Sequence, residues 1–383
     1  MLKVILIANH PNDQRESMDR YVFILSQGLR HSGFTVEVLR PQQSCTWITQ
    51  RIPVLGKWLA YFDKFIRFPI ALWIRLQEVD QLLNETIIHI CDQADAIYVP
   101  YLRGVPHLVT CHDLFAIRSS LGEFSKQRTR LSGRIYQRLI LGGLRKAANV
   151  VCVSETTRLD WARFEPAQSQ RVSVIKNPLN YPYQPLPESK SDTILRNLFD
   201  KCRITLPEQY FFHVGGNQWY KNRLGLIQIY QAMTQRGPMP RLVMAGQPLT
   251  SQMTTLIHEL GLANKISFVG KVTNEELNAL YCRAEALIFP SLMEGFGWPI
   301  IEAQAAGCPV IASNIPIFRE IGGSAVEFVN PDNVTPAAET ICDFLEASQA
   351  TKQQVKQGGI ANASAFQLDD IILEYASLYR RSL

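Results

Sequence analysis

Short apolar runs alternate with helical segments along this chain, and this alternation restricts the fold more than any other feature. In the first half, residues 17 to 31 and 128 to 147 have helical patterns. The predicted buried strands of this half are KVILIAN at the start of the chain and residues 35–39, 96–100, 107–111 and 150–154. Strands that alternate with helices predict a doubly wound α/β fold with a parallel sheet.

A proline-rich segment, NPLNYPYQPLPE at residues 177–188, interrupts this alternation with four prolines in twelve positions. After it the pattern restarts, with predicted strands at residues 210–215, 241–246, 266–270, 286–290 and 309–313. A chain of 383 residues is long for one core. We therefore predict two Rossmann-like domains facing across a cleft, over residues 1–180 and 181–365. A terminal amphipathic helix at about 366–383 can pack back on either half, the first included.

Composition narrows the class of protein. The chain is 46% hydrophobic and 19% charged, which is typical of a globular protein. Its net charge of +5 is mild, so it does not indicate nucleic acid, although it suits anionic substrates or an anionic membrane face. The eight cysteines contain no CxxC pair and are expected to be free thiols in a reducing compartment. The opening apolar run is too short for a signal peptide, so a cytoplasmic protein is expected.

The stretch SLMEGFGWPIIEAQAAGCPVIAS, residues 291–313, carries two glutamates eight positions apart. Pro299 suits the first turn of a helix and Gly307 suits its end, so Glu294 is predicted in the loop and Glu302 on the helix. Amide groups at the helix start and two carboxylates suit an anion flanked by hydroxyl groups. A glycine-rich loop before a helix is common in α/β proteins, so a loop with this pattern more often binds no anion than binds one.

Two further side chains are candidates for chemistry. Lys221 follows two glycines at a strand end and opens a helix, where an anion is expected, although a lone lysine is more often solvated. His112 follows a buried run, and by itself it is more often a core histidine hydrogen-bonded to a carbonyl.

Taken in order, these motifs resemble the family 4 retaining glycosyltransferases, which have the GT-B fold. The resemblance covers nearly the whole chain and is strongest at residues 209–332. It rests on the segments VTCHDLFAI, VVCVSETT, VIKNPLN, VGGNQWYKN, FVGKVTNEELNALYCRAEALIFPS and EGFGWPIIEAQAAGCPVIAS. It implies transfer of a sugar from a nucleotide-diphospho-sugar to an acceptor hydroxyl, with the donor held mainly by the second domain.

The resemblance also implies roles for particular residues. Glu302 would bind the donor ribose, Glu294 would contact the transferred sugar, and Lys221 would pair with the diphosphate. His112 would approach the sugar from the first domain, and Val272 would border the nucleobase. The other implied donor-binding residues are Gly215, Gly216, Arg223, Gly295, Phe296, Gly297 and Trp298.

The chain departs from the family pattern near the loop lysine. Members often carry an arginine there, whereas this chain has Gly216, Asn217 and Tyr220. Lys221 is therefore expected to act alone or with Arg223.

The loop after the first strand is a second departure. Many members have a glycine-rich loop there, but this chain has ANHPNDQRESMDRY. We leave the segment Asn9–Tyr21, including Arg15 and Ser17, as an unassigned rim of the acceptor or donor site.

Residues 54–68, VLGKWLAYFDKFIRF, repeat apolar side chains at helical spacing beside a basic edge of Lys57, Lys64 and Arg67. Such a stripe more often faces a protein core than a membrane. Its aromatic residues nonetheless suit a lipid-linked acceptor, so peripheral contact through residues 54–73 at the inner face of a membrane is a second interpretation.

The primary hypothesis is a metal-independent retaining hexosyltransferase in glycan, polysaccharide or glycolipid synthesis. It would use a UDP- or GDP-sugar, a glycan or lipid-linked acceptor, and no cofactor. There is no DxD motif, and the histidines lack zinc-ligand spacing, so no metal is expected. The alternatives are a non-catalytic nucleotide-sugar binding subunit, a nucleotide-sugar epimerase or a sugar phosphorylase.

Overall fold

The structure, a computed structural model, describes residues 2–13, 16–43, 53–79, 85–102, 104–124 and 129–383. The chain divides into two compact units. Unit 1 comprises Met1–Asn180 and Leu368–Leu383, and unit 2 comprises Tyr181–Gln367. The first division between the units falls within the proline-rich segment.

Unit 1 contains a six-stranded parallel sheet within its described residues, in the order β2-β1-β3-β4-β5-β6. Its strands are β1 (Lys3–Ile7), β2 (Thr35–Leu39), β3 (Thr86–Ile90), β4 (His107–Cys111), β5 (Asn149–Cys152) and β6 (Val172–Val174). Its helices are α1 (Glu16–His31), α2 (Pro53–Phe62), α3 (Phe68–Val79), α4 (Phe115–Ser120), α5 (Leu131–Lys146), α6 (Glu155–Ala162) and α15 (Leu368–Ser382). A π-helical turn (Asp63–Arg67) joins α2 to α3.

Unit 2 repeats this architecture, with the strand order β12-β11-β10-β7-β8-β9. Its strands, also parallel, are β7 (Tyr210–Gly215), β8 (Arg241–Gly246), β9 (Ile266–Gly270), β10 (Ala286–Phe289), β11 (Val310–Ser313) and β12 (Val326–Val329). Its helices are α7 (Glu188–Lys201), α8 (Arg223–Thr234), α9 (Ser251–Glu259), α10 (Asn274–Arg283), α11 (Trp298–Ala305), α12 (Pro316–Gly322), α13 (Val334–Glu346) and α14 (Gln349–Ala363). The predicted doubly wound α/β fold is confirmed.

One predicted strand is wrong. Residues 96–100 lie in a 3₁₀ helix, Gln93–Tyr101, and the third strand of the sheet is instead β3. The Asp92 side chain accepts a hydrogen bond from the Ala94 amide and starts this helix, which buries the apolar run without strand pairing. The strands β3, β6 and β12 were missed, since a short apolar run does not by itself distinguish a strand from a helix.

The C-terminal helix α15 packs in unit 1 through a buried hydrogen-bond network. The Tyr375 hydroxyl lies 2.7 Å from the Tyr21 hydroxyl, and His89 lies 2.7 Å from both the Tyr379 hydroxyl and Thr110 Oγ1. Tyr375 also lies 3.3 Å from Thr110 Oγ1. Because every one of these groups is buried, the network holds α1, the sheet and α15 in one arrangement.

Two further properties bear on the predictions. No helix in the described part of the chain combines the length and the apolar character needed to cross a membrane. The seven described cysteines are free thiols, and five of them are buried; Cys45 lies outside the described residues.

We expect unit 1 to become less stable as the pH decreases, because His89 must stay neutral in the folded protein. Burial lowers the pKa of His89 to about 3, whereas an unfolded histidine has a pKa of about 6.5. Between these values the unfolded chain binds more protons, so the free energy of unfolding decreases as the pH falls from about 6.5 towards 3. His89→Gln should flatten this dependence by up to about 1.4 kcal/mol per pH unit in urea unfolding. The exposed His31→Gln is the control, and equal slopes for both variants would contradict the prediction.

Candidate functional site

The carboxyl ends of the unit 2 strands open at one edge of the sheet, which is where α/β proteins bind ligands. The candidate residues of this unit lie in the loops and helices that follow β7, β8, β9 and β10. These strands are neighbours in the sheet: β10 pairs with β7, β7 with β8, and β8 with β9. Residues far apart in sequence are thereby brought together.

Three hydrogen bonds join the loop after β7 to the loop after β10. The Leu292 amide donates to the Tyr220 carbonyl (2.7 Å), and Asn222 Nδ2 donates to the Pro290 carbonyl (3.1 Å). Between them, Lys221 Nζ donates to Glu294 Oε1 at 2.6 Å. Asn222 has a left-handed backbone (φ 54°), which turns the chain from the 3₁₀ turn Trp219–Lys221 into α8. The structure therefore places Lys221 against Glu294.

This ion pair is partly shielded from water. The Lys221 side chain is 19% exposed and the Glu294 side chain 10% exposed. The ammonium also lies 5.5 Å from the centre of the Phe289 ring and 5.9 Å from that of Tyr220. A charged group enclosed in this way interacts more strongly with a new ionic partner than a fully solvated one does.

Glu302 lies on α11, as predicted, but it is buried in the protein interior. It is 3% exposed, and its Oε2 accepts a hydrogen bond from the Tyr281 hydroxyl on α10 at 3.0 Å. Burial, with the neighbouring Glu302 carboxylate, raises the pKa of Tyr281 well above its ordinary value, so this hydroxyl remains a donor. Sequence reasoning missed Tyr281, because no local pattern pairs a position on one helix with a position on another.

A sharp turn orients the start of α11. Gly297 is the N-cap at φ +109°, and a Cβ atom there would lie 3.0 Å from the Phe318 ring. Phe296 is buried and packs edge-on against Trp298 and Phe366, each at 6.0 Å between ring centres. Gly295 lies between Phe296 and Glu294. The positive end of the helix dipole thus points towards the loop that carries Glu294.

Arg223 is placed beneath these loops and is only 2% exposed. Its Nη1 donates to Asn217 Oδ1 and, at 2.8 Å, to the Gln247 carbonyl, so it joins the loops after β7 and β8. Its Nε and Nη2 are buried without a hydrogen-bond partner among the described residues. Burial lowers the pKa of this guanidinium. Arg223 therefore supports the loops from below.

The remaining predicted positions in unit 2 are backbone features. Gly215 ends β7, and Gly216 follows it in the loop. Gly215 lies against Gly246 of β8, where an added Cβ would approach the Gly215 carbonyl oxygen to 2.3 Å. Val272 follows Gly270 (φ +74°) and precedes Thr273, whose capping box opens α10.

In unit 1, His112 follows β4 and is held in place on two sides. Its Nε2 lies 2.9 Å from the Cys91 carbonyl, and its amide donates to Gln93 Oε1 at 2.8 Å. The Tyr21 ring meets the imidazole edge-on at 4.8 Å. The sequence by itself favoured a core histidine hydrogen-bonded to a carbonyl, and this is the arrangement of His112 in the structure. A role of His112 in chemistry stays a prediction.

The loop after β1 is anchored by two buried contacts that sequence reasoning did not identify. Asn9 Nδ2 donates to Asp92 Oδ2 at 2.9 Å, and His10 Nε2 lies 3.5 Å from Asp63 Oδ2 in the π-helical turn. Ser17 is exposed on α1, while Arg15 lies outside the described residues. Where the family pattern has glycines, this loop has a polar anchor.

Across the described residues, no cluster of three or more His, Cys, Asp or Glu side chains is arranged to hold a metal ion. The charged groups that the structure places at the candidate site include those of Lys221, Arg223, Glu294 and Glu302.

Family models match both units of the chain. The model described as Glycosyltransferase Family 4 matches residues 18–181, and that described as Glycosyl transferases group 1 matches residues 196–360. The chain belongs to the family 4 glycosyltransferases. The resemblance found in the sequence is thus confirmed.

Among curated relatives of this family member is the O-antigen chain mannosyltransferase RfbU of Salmonella typhimurium, 31% identical over 202 residues. That match covers 52% of each chain. O-antigen chain mannosyltransferase B of Escherichia coli is 24% identical over 250 residues, or 64% of each chain. The chain thus spans about half of the length of the first relative and slightly less than two thirds of the length of the second.

The Anabaena protein Alr3699/HepE, solved in complex with UDP and glucose, is a structural relative of this family 4 member. Its TM-score is 0.70 at 18% identity, and the superposition covers 99% of both chains. At this identity the likeness shows the fold, which is the GT-B fold expected from the sequence.

We expect Gly246→Ala to destabilise unit 2 of this family 4 member more than a glycine replacement in open space. Gly246 (φ +109°) and Gly261 (φ +67°) both have left-handed backbones, but a Cβ at Gly261 meets nothing within 4 Å. Gly261→Ala should cost about 1–2 kcal/mol from backbone strain alone. Gly246→Ala should cost more, because its Cβ also collides with the Gly215 carbonyl. Urea unfolding measures the free energy of unfolding of both variants. Equal losses of free energy would contradict the prediction, since they would mean that β7 and β8 move apart without destabilising the unit.

Proposed function

We propose that this protein is a hexosyltransferase that moves a sugar from a nucleotide-diphospho-sugar to an acceptor hydroxyl with retained anomeric configuration. The family supports the reaction class. The two mannosyltransferase relatives named for O-antigen chains support mannose as the sugar and a polysaccharide or glycolipid as the acceptor. The relative solved with UDP supports a nucleotide-diphosphate donor, which we propose to be a UDP- or GDP-sugar.

The Lys221–Glu294 pair is the observation that carries this proposal. Each charge satisfies the other, and both side chains are largely shielded from water. A donor diphosphate would take over the ammonium, and the released carboxylate would accept hydrogen bonds from hydroxyls of the transferred sugar. The pair thus brings together the two groups that a nucleotide-sugar needs.

The second carboxylate is proposed to hold the donor ribose. Glu302 is oriented by the Tyr281 hydroxyl, which fixes the carboxylate on the inner side of α11. Val272, Gly215, Gly216 and the turn from Gly295 to Trp298 are proposed to border the nucleobase, the diphosphate and the sugar.

The proposed chemistry needs no protein nucleophile and no metal ion. The bond between the sugar anomeric carbon and the donor phosphate oxygen breaks, and the acceptor oxygen forms a new bond on the same face. The acceptor proton passes to a phosphate oxygen of the leaving nucleotide diphosphate. Lys221 and the α11 dipole stabilise the negative charge that develops on this group. His112, the predicted contact of unit 1, is proposed to act on the sugar.

The acceptor is proposed to be a glycan or a lipid-linked molecule, reached by peripheral contact with a membrane through residues 54–73. The exposed aromatic side chains of this stretch favour a membrane-borne acceptor, with Trp58 71% exposed and Trp73 58% exposed.

A donor panel tests the proposed function. Thermal shift with UDP, GDP, ADP and their sugars should select one nucleotide, because a ligand at about 100 times its dissociation constant stabilises by about 2.7 kcal/mol. The selected nucleotide-sugar should then be hydrolysed slowly, or transferred to an acceptor, to give the retained anomer by NMR. Turnover should persist in excess EDTA.

The outcomes of the panel separate the alternatives. If no nucleotide raises the unfolding temperature, the proposed donor site is contradicted. A shift without hydrolysis or transfer would indicate a binding subunit, and a sugar inverted while still attached to its nucleotide would indicate an epimerase. Activity that EDTA abolishes and magnesium restores would contradict metal independence.

The two glutamates should give different binding defects by calorimetry. Glu294→Gln removes the carboxylate that competes for Lys221, so plain nucleotide diphosphate should bind equally well or up to about tenfold more tightly, about 1.4 kcal/mol. The nucleotide-sugar should bind less tightly and react more slowly. Glu302→Ala should weaken both ligands, since bonds to a charged group are worth about 1.5–3 kcal/mol, or roughly ten- to 150-fold.

Glu259→Gln, an exposed change on α9, is the control and should leave both affinities unchanged. Loss of nucleotide diphosphate binding in Glu294→Gln would contradict the exchange of partners at Lys221.

A further inference from the structure

The helical stretch from Trp58 to Gln77 has apolar side chains on two opposite faces. One face is buried in the unit 1 core through Phe68, Leu72 and Leu76. The other face is exposed, and its large side chains are Trp58, Tyr61, Phe62, Ile66, Ile70, Trp73 and Ile74. Their spacing of three or four residues places them along one side of the helix. The helix is thus core-facing, as the sequence favoured, and it also carries a second apolar stripe.

The exposed stripe contains no acidic side chain among its described positions. Its other exposed residues are Arg67, Ala71 and Gln77, while Asp63 is buried on the opposite side. A continuous patch of seven large apolar side chains on a protein surface usually marks an interaction site.

A second helix of unit 1, α5, carries a mixed apolar and basic face. Leu131, Ile135 and Leu139 are 73%, 52% and 50% exposed, and they recur every four residues. Arg134 and Arg138 are exposed on the same side, one residue before Ile135 and Leu139. The structure shows no ion pair for either arginine within the described residues. Residues 124–154 contain seven Lys or Arg and no Asp or Glu, so nothing within this segment neutralises the face.

A chain of aromatic contacts connects the two helices. Trp58 lies 6.4 Å from Tyr61, Tyr61 lies 6.0 Å from Phe65, and Phe65 lies 5.9 Å from Tyr136 of α5, between ring centres. The exposed stripe and the basic face therefore belong to neighbouring helices of one unit.

We propose that these two faces form one membrane-docking surface, and that its occupant is the anionic surface of a lipid bilayer. Aromatic and aliphatic side chains of an interfacial helix enter the boundary between headgroups and acyl chains, and arginines beside them bind anionic headgroups. The inference deepens the peripheral contact of the proposed function, because it adds α5 as the part that recognises charge.

Charge favours a bilayer over a second copy of the chain. A symmetric dimer through this surface would bring the same arginines from both copies into one interface. The excess of basic residues is also confined to unit 1, which has 25 Lys and Arg against 18 Asp and Glu, whereas unit 2 has 14 against 16. An anionic surface complements this asymmetry.

Co-sedimentation with vesicles tests the surface. The protein should bind vesicles of phosphatidylcholine with phosphatidylglycerol, less tightly as salt is raised, and should bind phosphatidylcholine alone much less tightly. Arg134→Gln with Arg138→Gln should weaken binding to the anionic vesicles by roughly fivefold per arginine. Trp58→Ser with Trp73→Ser should weaken binding to both kinds of vesicle by at least about tenfold.

Matched controls change similar side chains elsewhere in unit 1. Phe23→Ser on α1 removes an aromatic ring that is 62% exposed, and Arg380→Gln on α15 removes an exposed arginine. Both controls should bind as the wild type does.

Three results would overturn the proposal: no binding to anionic vesicles, equal losses in the test and control variants, or a dimer in sedimentation that the tryptophan changes dissociate. The last result would assign the surface to a second copy. The assay contains neither donor nor acceptor, so its failure leaves the proposed transfer reaction standing, and a failed donor panel leaves membrane binding standing.

Discussion

Pairing between β7 and β10 is the constraint on which the unit 2 site depends. Parallel strands release their loops at the same edge, so two segments some seventy residues apart in sequence meet there. A backbone bond from the Leu292 amide to the Tyr220 carbonyl and a side-chain bond from Asn222 Nδ2 to the Pro290 carbonyl then fix the two loops on either side of Lys221 and Glu294. The ion pair is held by the sheet and not by the flexibility of its own side chains.

The same edge shows how the chain manages buried charge. Lys221 and Glu294 neutralise one another, and Glu302 is oriented by a hydroxyl, but Arg223 has no carboxylate among its described contacts. Burying a guanidinium without a counter-ion destabilises the folded state through lost hydration. Here the side-chain oxygen of Asn217 and the backbone carbonyl of Gln247 offset part of that loss. The positive potential that remains beneath the loops suits a site proposed to receive a diphosphate.

The sequence predicts the elements whose signals are local. β-branched runs identified most strands, and Pro299 with the glycines around it located the start of α11. Residues 96–100 were misassigned because a buried 3₁₀ helix and a buried strand need the same apolar composition. The partners of the candidate side chains were not predictable: Tyr281 reaches Glu302 from another helix, and Lys221 reaches Glu294 from another loop. Periodicity also could not reveal that the helix around Trp58 has a covered face and an open one, since coverage depends on the whole unit.

The C-terminal helix has a consequence for the order in which the protein is made. Unit 1 is interrupted by Tyr181–Gln367, so the ribosome must synthesise all 187 residues of unit 2 before α15 emerges. At typical rates of about 5–20 residues per second this delay is about 10–40 s. During that time Tyr21, His89 and Thr110 lack the tyrosines that complete their network, and the face of α1 at Gly28 lacks Ile372. The first half of the nascent chain therefore stays incompletely packed until α15 has been translated.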